Sequence, residues 1–209
     1  MDLIWDFDGT LFDTYPLMAL SLQQAMREEG HEVPLEDIRA RMAVTLGHAL
    51  RCYEEMYGIT DKTVERYKEL MQCAGTRAAA PFDGVAEICK WVCDHGGRNH
   101  LCTHRSLSAK NYMDEWGLSQ YFDVYVTADD GLPRKPAPDM VLKVLEETGK
   151  PAADFMMMGD RELDILAAKG AGVKGCLFTC GKDFVETAAR YQIKAYKEFF
   201  DMMGEENER

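Results

Sequence analysis

The chain has 209 residues, a length that allows one domain with an insertion or two small domains. Its 36 Asp and Glu outnumber its 24 Lys and Arg, so the formal net charge is −12, and a surface this negative argues against nucleic acid or an acidic membrane as a partner. With 46% hydrophobic and 29% charged residues, the composition is that of an ordinary globular protein, which excludes disorder and collagen-like structure.

No targeting or membrane segment is visible in the sequence. No apolar run approaches the roughly 20 residues that span a bilayer, and the start, MDLIWD, carries acids where a secretory signal has basic residues before a long apolar stretch. The seven cysteines are an odd number without a paired framework, in a chain long enough not to need disulfides. We therefore expect a cytoplasmic protein with reduced thiols.

A short apolar strand opens the chain and a long helical stretch follows it. Residues 3–7 are predicted as the strand. After it, no strand is predicted between residues 14 and 80. An all-helical block inserted in an α/β chain is most simply a separate domain, so we predict a helical cap domain over residues 14–80. Its predicted helices are residues 17–29, 35–42, 48–56 and 62–74, separated by Gly30, Gly47 and Gly58.

From Pro81 and Gly84 onward, short apolar runs alternate with amphipathic stretches, which is typical of a parallel sheet covered by helices. The pattern predicts an α/β fold with a Rossmann-like parallel sheet, whose core domain comprises residues 1–13 and 81–209. The predicted strands are residues 99–103, 124–127, 154–158 and 173–178. The predicted helices are residues 85–94, 107–115, 138–148, 162–169 and 184–191, and residues 205–209 are predicted as a frayed acidic tail.

Two carboxylates end the first strand, in the segment DFDGT at residues 6–10. Residues two apart on a strand point to the same side, so Asp6 and Asp8 share one side. The carboxyl ends of parallel strands are where open α/β sheets bind ligands, and Gly9 lets the chain turn sharply there. The pair alone is also compatible with an acidic turn, since acids are common after strands.

A second pair of carboxylates follows the predicted strand 154–158. Asp160 and Asp164 are four residues apart at the start of a helix and so lie on one face, although acids also suit a helix N-terminus for structural reasons. If both pairs meet at one sheet edge, four carboxylates repel each other unless a cation lies among them. Because oxygen ligands select a hard ion, we expect Mg²⁺ at this edge.

Two further residues could meet a phosphate. Lys135 lies between Pro133 and Pro136 on a stiff segment just before a helix, where its charge could contact a phosphate or an aspartate; a lone loop lysine is also compatible with a solvated surface charge. Thr103 ends the second predicted strand and offers a hydroxyl, followed by backbone N–H groups near a helix N-terminus, which is a natural anion site.

These four segments together closely resemble the haloacid dehalogenase superfamily. They occur in that family's order: DFDGT at residues 6–10, the strand-terminal Thr103, Lys135 in RKPAPD, and GDRELD at residues 159–164. The resemblance covers nearly the whole chain. The helical insertion after the first segment is similar to the family's type I cap, in the branch of phosphoglycolate phosphatase and β-phosphoglucomutase.

The resemblance implies phosphoryl transfer through an aspartyl-phosphate. Asp6 would be the nucleophile, and Asp8 would protonate the leaving oxygen and then deprotonate the attacking water. The family's dehalogenases lack an acid at the position of Asp8 and need no metal, so its presence points to phosphoryl transfer. Thr103 and Lys135 would bind the transferring phosphoryl group, offsetting the repulsion between an anionic nucleophile and an anionic ester.

The resemblance also implies where the expected Mg²⁺ would bind. Its ligands would be the carboxylates of Asp6 and Asp160 and the backbone carbonyl of Asp8. Asp164 would orient this group of ligands from behind. The substrate would be a small phosphorylated metabolite, with neither nucleic acid nor a membrane as a partner.

Four further residues are candidate substrate contacts. The family often has an asparagine or another small polar residue after the threonine of its second motif, whereas this chain has His104 and Arg105. Arg105 could bind a second anionic group of the substrate or be a surface residue at a helix start. In the cap, Tyr15 at the first hinge and His48 in the turn TLGH correspond loosely to substrate contacts; hinges and turns are also commonly just structural.

Three functions remain open on the sequence. The leading interpretation is a Mg²⁺-dependent phosphomonoesterase, the second is a phosphomutase that returns the phosphoryl group to a sugar hydroxyl, and the third is a regulatory or binding protein that keeps the fold. A zinc site is disfavoured, because the His and Cys spacing fits no usual zinc pattern. The residues that would form such a site are Cys89, Cys93, His95, His100, Cys102 and His104.

Overall fold

The computed structural model of the chain describes residues 1–207. Its strands are β1 (Asp2–Trp5), β2 (Asn99–Cys102), β3 (Phe122–Val126), β4 (Phe155–Gly159), β5 (Lys174–Phe178) and β6 (Tyr191–Ile193). Its helices are α1 (Tyr15–Glu28), α2 (Leu35–Met42), α3 (Leu46–Tyr57), α4 (Asp61–Ala74), α5 (Val85–Asp94), α6 (Ser108–Glu115), α7 (Asp139–Thr148), α8 (Glu162–Gly170) and α9 (Glu198–Asn207). The chain divides into two compact units, one formed by residues 1–13 with the chain from Ala80 onward, and one formed by residues 14–79.

The strands of the first unit form one parallel sheet in the order β3-β2-β1-β4-β5-β6. The predicted α/β fold with a Rossmann-like parallel sheet is therefore confirmed. Trp5 of β1 is level with Leu101 of β2 on one side and with Met158 of β4 on the other. Because the chain passes from β1 to β2 and β3 on one side, and to β4, β5 and β6 on the other, the strand order reverses at β1. Ligands of open α/β sheets bind at such a reversal, beyond the carboxyl ends of the strands.

Strands β1 and β4 lie in the core of the first unit. The run Met156–Met158 is completely buried, as are Leu3 to Trp5 beside it. Helix α7 packs its apolar residues at helical spacing, Met140, Val141 and Val144, into the same core. Strands that are covered on both faces have continuous apolar sequences. The residues that follow β1 and β4 are therefore attached to well-packed strands.

The second unit is all-helical and has a core of its own. Helices α1 to α4 are present near the positions predicted from the sequence, with ends that differ by one or two residues. Their buried residues include Leu22 and Met26 of α1, Ile38 of α2 and Tyr53 of α3. Thr45 caps the N-terminus of α3 by accepting a hydrogen bond from the backbone N–H of His48 at 2.9 Å.

The predicted helix at residues 184–191 is wrong. Its first residues form no regular element, and its last residue opens strand β6 (Tyr191–Ile193) at the edge of the sheet. Phe184 and Val185 are 55% and 56% exposed, so the fold does not cover the apolar face that the predicted helix would need to bury. The side chain of Gln192 instead accepts a hydrogen bond from the N–H of Val185 and donates one to its carbonyl.

Helix α9 (Glu198–Asn207) follows β6 and was not predicted from the sequence. Phe199 and Met203, four residues apart, are both buried and attach it to the core. The backbone of residues 205–207 belongs to this helix, so the predicted frayed tail does not begin at residue 205. The last two positions of that tail, Glu208 and Arg209, lie outside the described residues.

Within residues 1–207 we find no helix that is both long and apolar enough to cross a bilayer. All seven cysteines are free thiols. Burial raises the pKa of Cys102 and of Cys176 to about 12, so both stay protonated at neutral pH. Among the described residues, the one group of three or more acidic, His or Cys side chains that converge closely enough to hold a metal consists of carboxylates alone, and none of the six residues considered for zinc belongs to it.

Candidate active site

The turn after β1 presents Asp6 at the edge of the sheet. The backbone N–H of Asp6 donates to the carbonyl of Met158 at 2.9 Å, which continues the pairing of β1 with β4 by one residue. The chain then turns back on itself, with Gly9 at a positive φ of 79° and its N–H bonded to the carbonyl of Phe12 at 2.9 Å. Because the left-handed region favours glycine, this turn depends on Gly9.

Asp160 and Asp164 are presented by the turn from β4 into α8. Asp160 precedes the helix, and Asp164 lies in its first turn, where one carboxylate oxygen accepts a hydrogen bond from the N–H of Arg161 at 3.2 Å. A Cβ placed on Gly159 would lie 2.3 Å from the Cβ of Asp164. Only glycine at position 159 therefore lets the buried Asp164 side chain pack against the end of β4.

Three carboxylates converge at this edge. Asp6, Asp160 and Asp164 each offer an oxygen, and these oxygens all lie within 4.8 Å of one another. Asp6 and Asp164 are buried, and Asp6 Oδ2 has no hydrogen-bond partner among the described residues. Two like charges 4 Å apart repel by about 4 kcal/mol at an effective dielectric constant of 20. An oxygen-lined, anionic group with an unpartnered buried oxygen fits a hard divalent cation such as Mg²⁺.

Lys135 is the buried cation of this site and is not a surface residue. Its Nζ lies 2.7 Å from Asp6 Oδ1 and 2.6 Å from Asp164 Oδ1, and it donates to the carbonyl of Cys102 at 2.9 Å. Burial alone would lower the pKa of Lys135, but the charges of Asp164 and Asp6 outweigh burial and raise it. Lys135 is therefore a permanent positive charge between two buried carboxylates.

Burial raises the pKa of Asp6, the nucleophile candidate, because it disfavours the charged carboxylate. The attraction of Lys135 compensates for this only in part, and the nearby Asp164 raises the pKa of Asp6 further. One lysine thus does not fully offset the cost of burying these carboxylates. A second cation beside Asp6 would favour its charged, nucleophilic form further.

The segment after β2 supplies polar groups from the neighbouring strand. Thr103 is buried, and its Oγ1 accepts a hydrogen bond from the N–H of Arg105 at 3.1 Å. Burial and the positive charge of Lys135 lower the pKa of His104 to about 4, so its imidazole is neutral at pH 7. His104 Nε2 is buried without a hydrogen-bond partner in the described part of the chain.

Arg105 pairs with Asp8. Its Nη2 donates to Asp8 Oδ1 at 2.6 Å, and the Arg105 and Asp8 side chains are only 14% and 18% exposed. The interpretation of Arg105 as a surface residue at a helix start is therefore wrong. Of the four carboxylates expected at this edge, three converge, whereas the side chain of Asp8 is paired with this arginine.

Tyr15 and His48 belong to the all-helical unit. Tyr15 is the first residue of α1. His48 lies in the first turn of α3, and its Nε2 is 3.5 Å from the Sγ of Cys52. Their part in substrate binding stays a prediction.

Sequence reasoning missed two residues that contact Asp160. Thr10 Oγ1 donates to Asp160 Oδ1 at 3.4 Å, and Arg161 Nε lies 3.8 Å from the same oxygen. Both lie inside motifs that are recognisable in the sequence, Thr10 at the end of DFDGT and Arg161 between Asp160 and Asp164. Their place in these motifs is a signal that they are near the site, but their contacts with Asp160 depend on the geometry of the two turns.

Comparisons with known proteins agree with this architecture. A family model described as haloacid dehalogenase-like hydrolase matches residues 3–178. The phosphoglycolate phosphatase of Pseudomonas savastanoi pv. phaseolicola is 28% identical over 180 residues, covering 82% of this chain and 66% of that protein. The chain thus spans just under two thirds of that relative's length. The phosphoglycolate phosphatase of Aquifex aeolicus is 28% identical over 184 residues, covering 86% of this chain and 84% of that protein. A solved structure from Thermotoga maritima, provisionally named a beta-phosphoglucomutase, has a TM-score of 0.81 at 23% identity over 98% of both chains, which is a likeness of fold.

Proposed function

Because this chain belongs to the haloacid dehalogenase-like hydrolase family, we propose that it is a Mg²⁺-dependent phosphatase that hydrolyses a small phosphorylated metabolite through an aspartyl-phosphate. The observation that carries the proposal is the state of Asp6. Its Oδ1 is held by Lys135 at 2.7 Å, while its buried Oδ2 has no hydrogen-bond partner among the described residues. One oxygen is anchored and the other is available for attack.

The chemistry assigned to the chain's own residues has two steps. Asp6 Oδ2 attacks the phosphorus of the ester, the P–O bond to the alcohol breaks, and Asp8 gives its proton to the departing oxygen. In the second step Asp8 removes a proton from a water, whose oxygen attacks the phosphorus of the aspartyl-phosphate and releases phosphate and the free Asp6 carboxylate. Thr103 and Lys135 bind the phosphoryl oxygens during both steps.

The metal site proposed here uses the carboxylates of Asp6 and Asp160 and the backbone carbonyl of Asp8. When bound, Mg²⁺ would neutralise these carboxylates and withdraw charge from the phosphoryl group. Asp164 is assigned a supporting part, because one of its oxygens is engaged by Lys135 and the other by the N–H of Arg161. Its contacts thereby orient Lys135 and the turn that carries Asp160.

Residues 14–79 are proposed to act as the cap that selects the substrate, with Tyr15 and His48 as contacts from that side. His104 and Arg105 are the proposed contacts from the core. The phosphoglycolate phosphatases similar to this chain make phosphoglycolate a candidate substrate. We also propose a cytoplasmic location, which suits seven free thiols.

The test is a panel of phosphorylated metabolites, including phosphoglycolate and sugar phosphates, assayed with Mg²⁺ and with EDTA. Release of inorganic phosphate that EDTA stops and added Mg²⁺ restores supports the proposal. Rearrangement of a sugar phosphate without net phosphate release would favour the phosphomutase alternative instead. A metal-replete protein that turns over none of the esters would favour a regulatory or binding role.

A further inference from the structure

The pairing of Arg105 with Asp8 occupies both oxygens of the proposed general acid. Arg105 Nη2 and Nε lie 2.6 Å and 3.2 Å from Asp8 Oδ1, and Nε lies 3.4 Å from Oδ2. Charge-assisted contacts of this kind are among the stronger hydrogen bonds in proteins. While the pair persists, both oxygens of the Asp8 carboxylate are directed at the guanidinium.

The position of the guanidinium does not depend on Asp8 alone. Its central carbon lies 5.2 Å from the ring centre of Phe7 and 5.5 Å from that of Tyr112, and both rings are buried. Cations are attracted to aromatic faces over such distances. The backbone of Arg105 is also anchored, because its N–H donates to Thr103 Oγ1 at 3.1 Å and its carbonyl accepts from Ala128 at 2.9 Å. If Asp8 turned away, the guanidinium would stay in place.

Arg105 differs from Lys135 in the partners it can exchange. Lys135 already contacts two buried carboxylates and a carbonyl, and its proposed substrate contact is the transferring phosphoryl group itself. A guanidinium presents a planar fork of donors that matches a carboxylate or a phosphate as well as it matches Asp8. An anionic substituent of the substrate can therefore replace Asp8 at Arg105, and the guanidinium stays paired with an anion.

We propose that Arg105 is a shared anion site that holds the Asp8 carboxylate in the resting protein and binds a second anionic group of the substrate during turnover, which releases Asp8 to take up a proton from solvent and give it to the leaving oxygen. The inference rests on the proposed function and narrows its substrate class to phosphomonoesters that carry a further carboxylate or phosphate. Arg105 is a positioning and specificity residue in this scheme, because it acts on catalysis through Asp8. A neutral ester binds without displacing Asp8 and turns over slowly.

A matched pair of esters tests the inference. The two esters are 2-phosphoglycolate and 2-hydroxyethyl phosphate, which differ in having a carboxylate or an alcohol beyond the same phosphoryl group. With Mg²⁺, we expect the wild-type kcat/KM to be about 10-fold to 100-fold higher for the acid, the range that one charge-assisted interaction supports. In Arg105→Gln the KM for the acid should rise, while kcat for the neutral ester should also rise because Asp8 is no longer held. Arg105→Lys keeps the charge without the fork and should retain part of the preference.

Arg134→Gln is the matched control, since it removes an exposed arginine that precedes Lys135 in the sequence and should keep the wild-type ratio between the two esters. A uniform fall for both esters in Arg105→Gln, with an unchanged ratio, would overturn the inference and assign Arg105 a structural part. Phosphate release by the wild type tests the proposed function separately. If the wild type releases none, calorimetric binding of the same two esters still tests the site: a preference for the acid that Arg105→Gln removes supports it, and equal binding refutes it.

Discussion

Replacing Lys135 by Met tests whether the candidate site is held together by its buried charges. Methionine keeps the approximate shape of the side chain but removes the ammonium group that lies 2.7 Å from Asp6 Oδ1 and 2.6 Å from Asp164 Oδ1. Both carboxylates are buried, and Lys135 itself is 3% exposed, so water cannot replace the lost charge. Removing one partner of a buried ion pair costs about 3–5 kcal/mol. Since a domain is stable by only about 5–15 kcal/mol, the loss is a large part of the total.

The assay is urea unfolding at pH 7, followed by circular dichroism, of wild type and Lys135→Met in EDTA. We expect the variant to lose about 3–5 kcal/mol of unfolding free energy, and Mg²⁺ to return part of it by binding among the unpaired carboxylates. Lys143→Met is the matched control, because it removes a lysine whose pairing with Glu146 is exposed to solvent. If Lys135→Met were no less stable than Lys143→Met, the conclusion that Lys135 stabilises the buried carboxylates of Asp6 and Asp164 would be refuted.

Three further predictions address the nucleophile, the close packing beside it and the far end of the sheet. Asp6→Asn should abolish phosphate release while leaving the circular dichroism spectrum unchanged, and substantial residual turnover would remove Asp6 as the nucleophile. Gly159→Ala should lower the unfolding free energy by about 1–3 kcal/mol, because the new methyl group would lie 2.3 Å from the Cβ of Asp164. The control Gly204→Ala should not lower it, since a Cβ there meets nothing within 4 Å. Equal thermal midpoints for the two variants would contradict the packing argument. Burial lowers the pKa of His100 despite its hydrogen bond to a carboxylate. Because the unfolded chain then takes up a proton that the folded protein does not, the unfolding free energy should fall as the pH drops below about 6.5. Urea titrations at several pH values should show this dependence in wild type and a weaker one in His100→Gln.

Much of the fold follows from local patterns. Buried parallel strands are short apolar runs, and the helices around them carry apolar residues at helical spacing, so both are visible without knowing what they pack against. The segment at residues 184–191 shows where this fails, since an amphipathic pattern predicts a helix only if the fold offers a surface to cover its apolar face. Phe184 remains exposed, and the short edge strand β6 forms just after it because β5 has a free edge there.

The sequence likewise predicts some features of the candidate site and not others. Asp6, Asp160 and Lys135 lie in short motifs with recognisable spacing, so the sequence is sufficient to single them out. The pairing of Arg105 with Asp8 joins residues 97 positions apart, and no local pattern predicts it. A motif indicates which side chains lie near the end of a strand. The residues that these side chains contact depend on the geometry of the turns and on which strand is the neighbour.

The sequence by itself determined the α/β class, the helical stretch after the first strand and the order of the acidic and basic motifs, because these depend on periodicity and on neighbours along the chain. Only the tertiary structure decided which charges meet. It buried Lys135 between Asp6 and Asp164 and turned Arg105 towards Asp8. Electrostatic energy depends on distance and burial, and both are properties of the folded chain.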